Sequence, residues 1–99
     1  MPERSIEFEY DSIKATSNLR KHGVSFDEAE TVFDDDHAYT QEDELHSGSE
    51  PREWLIGYSN RSRLLIVSFV QRAPNRVRVI SARLATRRER RIYEDRTRF

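Results

Sequence analysis

The spacing of apolar residues changes several times along the 99 positions of this chain, and each change marks an element. Ile6, Phe8 and Tyr10 alternate with Glu7 and Glu9, which predicts a short strand over Ser5–Tyr10 with one solvated side. Asp11 is placed to cap a helix carrying Ile13, Ala15 and Leu19. That helix stops at Gly23, a residue that tolerates the left-handed backbone of a helix end. Ser25 with Glu28 reads as a capping box, and Val24 can pack on Ala29 as a hydrophobic staple. The short second helix has Phe26, Ala29 and Phe33 on one face. Asp34, Asp35 and Asp36 end it, because carboxylates oppose the dipole at a helix C-terminus, and consecutive acids there are expected to be solvated. An edge strand is predicted over His37–Gln41, then a polar connection from Glu42 to Pro51.

Alternation returns from Arg52 to Ser59, with Trp54, Ile56 and Tyr58 on one side and Glu53 and Leu55 on the other. After a turn at Ser59-Asn60-Arg61-Ser62, Leu64–Val70 is apolar on both faces and is the expected central strand. Ala73-Pro74-Asn75 turns the chain once more. In Arg76–Arg83, strict alternation puts Val77, Val79, Ser81 and Arg83 on one side, and Arg76, Arg78, Ile80 and Ala82 on the other. The period then becomes helical at a second capping box, Thr86 with Glu89. The order β-α-α-β-β-β-β-α, with three strands joined by short turns, predicts one α+β domain over residues 1–99: a mostly antiparallel sheet with helices packed on it.

Composition sharpens this picture. Charged residues and the hydrophobic set each make up 35% of the chain, so a thin core lies under an ionic surface. The absence of cysteine excludes disulfides, thiol catalysis and thiolate metal sites. No apolar run approaches the roughly 18–20 residues of a membrane span, and Met1-Pro2-Glu3-Arg4 has no signal-peptide pattern, so a cytoplasmic protein without a membrane partner is expected. The net charge of −1 conceals a strong sorting. Residues 1–50 hold fourteen of the eighteen acids, whereas residues 51–99 hold thirteen of the seventeen bases, all of them arginine. Arginine makes planar, bidentate contacts with phosphate. Arg87 and Arg88 fall in the first turn of the last helix, where an exposed cation opposes the macrodipole at roughly 0.3–1 kcal/mol. A strand ending in Arg83, a turn, and a helix opening on two more arginines is the pattern of an anion site.

The residues also carry a resemblance. Phe8-x-Tyr10-Asp11, Lys14, Asn18, Lys21-His22-Gly23-Val24-Ser25-Phe26-x-Glu28-Ala29 and Val32-Phe33-Asp34 occur in order. Arg52, Ile56-Gly57, Ser59 and Ile80-Ser81-Ala82-Arg83-x-Ala85-Thr86-x-x-Glu89-Arg90-x-x-Tyr93-Glu94 follow them. Together they resemble the BrnT family of bacterial type II toxins. Tyr10 stands where many relatives have tryptophan, and Pro51 and Glu53 alter the stretch before Gly57. The resemblance implies a RelE-like fold, endoribonuclease activity that arrests translation, and an RNA substrate. It also implies a ribbon-helix-helix antitoxin (BrnA-like) that assembles with the toxin and binds operator DNA.

A metal-independent ribonuclease lets the ribose 2′-OH attack the adjacent phosphate, leaving a cyclic phosphate and a free 5′-OH. The protein must stabilise charge on the phosphate oxygens and move two protons. Arg83, at a strand end, is the first candidate for the phosphate; the alternative is an ion pair bracing the last helix. Arg63, Lys21 and His22 complete the catalytic candidates, with His22 equally suited to bonding the helix end beside Gly23. Arg87, Arg88 and Arg52 are candidates for flanking RNA phosphates. His37 and His46 are too scattered for a metal site, and no cofactor is expected. A rival reading is a non-catalytic nucleic-acid-binding module whose arginines only hold phosphates. The last helix is poor in apolar residues, so its attachment to the sheet is expected to be weak and its surface open to the antitoxin.

Overall fold

The computed structural model describes residues 6–45 and 48–98, so Ser5 and His46 lie outside the described residues. Among the described residues five strands form one sheet in the order β1-β5-β4-β3-β2. They are β1 (Glu7–Glu9), β2 (Tyr39–Glu42), β3 (Glu53–Tyr58), β4 (Leu64–Ala73) and β5 (Arg76–Leu84). β1 runs parallel to β5, and the other pairs are antiparallel. β4, apolar on both faces, is the central strand, and β2 is an edge strand that begins two residues later than its pattern suggests.

The inner face of the sheet presents Leu55, Leu65, Val67, Phe69, Val77, Val79 and Ala82 to Val24, Phe26, Ala29 and Val32. Phe33 joins this core between Phe8 and Phe69, with ring centroids 5.1 and 5.2 Å away in edge-to-face contacts. Helix α1 (Ser12–His22) is capped by the Asp11 carboxylate, which accepts from the backbone of Ile13 and Lys14, and it ends at Gly23 with φ 69°. Helix α2 (Phe26–Thr31) starts on the Ser25 hydroxyl and runs into a 3-10 turn at Val32–Asp34. Only half of the capping box expected here forms, because the Glu28 carboxylate turns away to Arg63 and Ser59.

β5 does not keep strict alternation. Val79 pairs with Phe69 on the inner face, but the next pair is Ser81 with Ser68, and Ile80 is left over as a β-bulge. From that point inside and outside exchange. Ala82 faces the core, while Ser81 and Arg83 face outward beside Ser68 and Ile66. Uninterrupted alternation would have put Arg83 on the side of Val77 and Val79. A bulge that re-aims one side chain is a common device beside functional sites.

Two polar devices complete the frame. Beyond β1 the edge of β5 has no strand partner among the described residues, and Asn18 of α1 serves instead. Its amide accepts from Ala82 N–H at 3.1 Å and donates to the Ala82 carbonyl at 2.8 Å and to the Val24 carbonyl at 2.9 Å. Helix α3 (Arg87–Thr97) buries Tyr93 alone among its described residues, as its apolar-poor sequence implies, and hydrogen bonds and rings add to that hold. Tyr93 is 5% exposed, packs edge-to-face on Tyr58 and stacks on Tyr39. Its hydroxyl donates to Asp35 Oδ2 at 2.7 Å, which also accepts from Tyr58 N–H at 2.7 Å. Arg90 reaches the Tyr58 hydroxyl and Arg96 lies over the Tyr39 ring. Asp35 is therefore a structural anchor rather than a solvated acid. Burial would raise its carboxyl, but the hydrogen bonds from Tyr58, Tyr93 and His37 outweigh that and hold it below the usual range.

Candidate active site

The bulge opens a depression on the outer face of the sheet. Trp54 of β3, Ile66 and Ser68 of β4, and Ser81 and Arg83 of β5 line it, together with Asp43 and Arg52. Ser81 is shared with a second depression against α1, lined by Lys14, Ser17, Asn18, Lys21, His22 and Ile80. Lys14, Ile80 and Arg52 are shared with a third, which reaches Arg78. The three form one continuous surface from the exposed side of α1, across β5, to β3. Helix α1 contributes to it because Lys14 and Lys21 are seven residues apart, close to two helical turns, and so share a face.

Arg83 sits at the head of this surface. Its Nη1 and Nη2 donate to Glu89 Oε1 and Oε2 at 2.9 and 3.0 Å, and Nη1 also reaches the Leu84 carbonyl at 3.3 Å. Glu89 Oε1 in turn accepts from Thr86 N–H at 2.8 Å, completing the capping box at the start of α3. The Arg83 fork, opposed by burial and then supported by the Thr86 amide, holds the Glu89 carboxyl at about 2, against 4.5 for the free side chain. So firmly ionised a carboxylate is a poor proton acceptor and a good orienting group. A guanidinium carries five N–H groups. The Arg83 Nε–H and one Nη2–H have no partner among the described residues. Arg83 thus braces the last helix, one of the two roles the sequence left open, and at the same time lines the outer depression.

Not every candidate joins it. Arg63 is turned the other way, its Nε donating to Glu28 Oε2 at 2.9 Å and its Nη2 to Glu28 Oε1 and to the Gly23 carbonyl. Glu28 is 5% exposed, and the Ser59 hydroxyl also donates to it, at 2.7 Å. Arg63 therefore ties the β3–β4 turn to the junction of α1 and α2, and does not line the outer surface. Its guanidinium, opposed by burial and then supported by Ser59, keeps the Glu28 carboxyl below the usual range. Arg87 and Arg88 are exposed in the first turn of α3, outside the depressions and with no partner among the described residues. His22 makes no hydrogen bond to the helix end; it stands exposed at the α1 border. Trp54, Ser68 and Ser81 carried no functional expectation, although the outward position of Trp54 was readable in the alternation of β3. Among the described residues no three of His, Cys, Asp and Glu converge to hold a metal ion.

Comparison with known proteins gives this arrangement a context. The family model described as "Ribonuclease toxin, BrnT, of type II toxin-antitoxin system" matches residues 10–89. The chain belongs to the BrnT family. Among solved structures it is similar to the Brucella abortus ribonuclease toxin BrnT, with a TM-score of 0.63 at 24% identity, over 83% of this chain and 99% of that one. That likeness shows the shared α+β fold. No curated protein matches the chain. As a BrnT-family ribonuclease toxin it has RNA as its substrate class and an antitoxin as its partner. The family match ends at Glu89, so it includes the bulge, Arg83 and the capping carboxylate but little of α3. No helix among the described residues is long and apolar enough to cross a membrane.

Proposed function

We propose that this protein is a metal-independent endoribonuclease that works on the outer face of its sheet. The observation that carries the reading is the placement of Arg83, with Arg52, Lys14, Lys21 and His22 bordering the same surface. The ribose 2′-oxygen attacks the adjacent phosphorus as its proton leaves, and the bond to the 5′-oxygen breaks as that oxygen gains a proton. The products are a 2′,3′-cyclic phosphate and a 5′-OH. Arg83, held rigid by Glu89, donates its remaining N–H groups to the phosphate oxygens as their charge grows, the kind of preorganised contact that usually contributes most to catalysis. Lys21 holds the neighbouring phosphate. His22 is assigned a proton transfer, imidazole being the side chain best suited to that task near neutral pH. Arg63 is left out of the mechanism because Glu28 and Gly23 engage it elsewhere.

RNA incubated with the purified protein in EDTA should yield fragments with 2′,3′-cyclic phosphate ends, and the rate should fall as salt rises. Intact RNA would favour the rival non-catalytic module, and cleavage restored only by Mg²⁺ would overturn the arginine mechanism. The same reading makes the cytoplasm the site of action. It also makes the antitoxin a ribbon-helix-helix protein that carries the toxin to operator DNA. Exposed Arg87 and Arg88 suit an acidic, amphipathic antitoxin segment, which would cover α3 and exclude RNA phosphates. An Arg87→Glu, Arg88→Glu double variant should then bind antitoxin more slowly, about 10-fold at low salt, with a flatter salt dependence. Equal on-rates across the salt series would place the antitoxin elsewhere.

A further inference from the structure

We propose that Trp54, with Ser68 and Ser81 beside it, is a nucleobase-binding subsite that stacks one unpaired base of the RNA strand next to Arg83. The inference rests on the ribonuclease reading for its ligand, and on its own geometry for its place. Trp54 is the only tryptophan in the chain, half-buried on the outer face of β3. Its backbone is fixed between β2 and β4, opposite Gln41 and Ser68. Its indole N–H donates to Asp43 Oδ2 at 3.0 Å, and Asp43 is 5% exposed. The ring is therefore held at both ends while still bordering an open depression.

The depression exists because of what stands across the strands. In the row through Trp54, β4 and β5 supply Ser68 and Ser81, whereas the adjacent row has Ile56, Ile66 and Arg83. Two small side chains beside a large flat one leave a space of about 210 Å³ with Ile66 in its wall. That is below the roughly 300–1,000 Å³ of a drug-sized pocket and on the scale of a single heterocycle. Both serine hydroxyls line it, and neither has a hydrogen-bond partner among the described residues. A hydroxyl both donates and accepts, so the pair can meet either kind of group on a base edge. Arg83 borders the same space, which sets the phosphate of a stacked nucleotide at the guanidinium. In a duplex both faces of each base are already covered, so the ligand class is single-stranded RNA.

Trp54 also packs against the cluster of Ile56, Leu64, Ile66 and Tyr93, and a purely structural role is the alternative. The two are separated with a 2′-O-methyl RNA hexamer of mixed sequence, which cannot be cleaved. Its binding is followed by anisotropy of an end label and by the emission of Trp54. Saturating hexamer should quench that emission along the same curve as the anisotropy. Trp54→Phe, which retains a stacking face, should bind within about 3-fold of the parent. Trp54→Leu, which retains apolar packing alone, should bind about 10- to 100-fold more weakly. Binding with unchanged emission, or a folded leucine variant with parental affinity, would overturn the subsite. If the leucine variant does not fold, the emission of the parent protein decides. Quenching by a protein that leaves ordinary RNA intact would support the subsite and count against the ribonuclease reading instead. Cleavage of RNA without quenching would count against the subsite alone.

Discussion

The Glu89 carboxylate closes the N-terminus of α3, orients Arg83 and neutralises part of its charge. Its folded-state value of about 2, against 4.5 when free, gives the pair a defined pH dependence. Because the folded value is depressed, the stabilisation is fully present above pH 4.5 and is lost as pH falls toward 2. At neutral pH it is worth on the order of 2 kcal/mol, after allowing for the solvent that reaches Arg83. Glu89→Gln should therefore lower the thermal midpoint at pH 7 by several degrees and show a smaller further loss between pH 4.5 and pH 2 than the parent. Parallel midpoint curves for the two proteins would mean that Glu89 is not the group responsible. At this scale the sequence was partly legible. The capping box follows from residues three apart, whereas the pairing of Glu89 with Arg83, six residues before it, also needs the turn between β5 and α3. The partner of Arg63 is Glu28, 35 positions away, and no local pattern joins them.

Two elements carry features that periodicity alone does not disclose. The inward and outward sides of β5 exchange at Ile80, and the exchange belongs to the pairing with β4 rather than to the composition of β5. Arg83 was therefore recognisable as a strand-end arginine, but the face it occupies was not. In β3, Gly57 is required by a close approach. A Cβ there would lie 2.7 Å from Ala38 Cβ and 2.9 Å from Asp35 Oδ2. Gly57→Ala should push Asp35 off the Tyr58 amide and the Tyr93 hydroxyl, at a cost of roughly 1–3 kcal/mol. For a domain of this size each 1 kcal/mol lowers the thermal midpoint by about 4–8 °C. An unchanged midpoint in a melting experiment would contradict the anchor assigned to Asp35. Asn18 belongs to the same class. Its place in the motif was visible, whereas its use as a substitute strand depends on α1 meeting the edge of β5.

Across the whole molecule, the acidic first half and the arginine-rich second half do not form two opposed poles. Ion pairs join them where structure is needed: Arg63 to Glu28, Arg78 to Glu9, Arg76 to Glu7. The cations that border the outer surface come from both halves, Lys14 and Lys21 from α1 and Arg83 from β5. The sorting of charge along the chain pointed to an anion partner, and the fold distributes those charges between ion pairs that brace it and the outer surface proposed to hold RNA. Cleavage of RNA by Arg83→Ala, measured as kcat under conditions where circular dichroism shows the variant folded, tests this division most directly. The expected result is a loss of about 100- to 1,000-fold in kcat, with Arg83→Lys recovering only part of it because an ammonium lacks the planar fork. A folded Arg83→Ala protein that cleaves RNA within a few-fold of the parent rate would contradict the account.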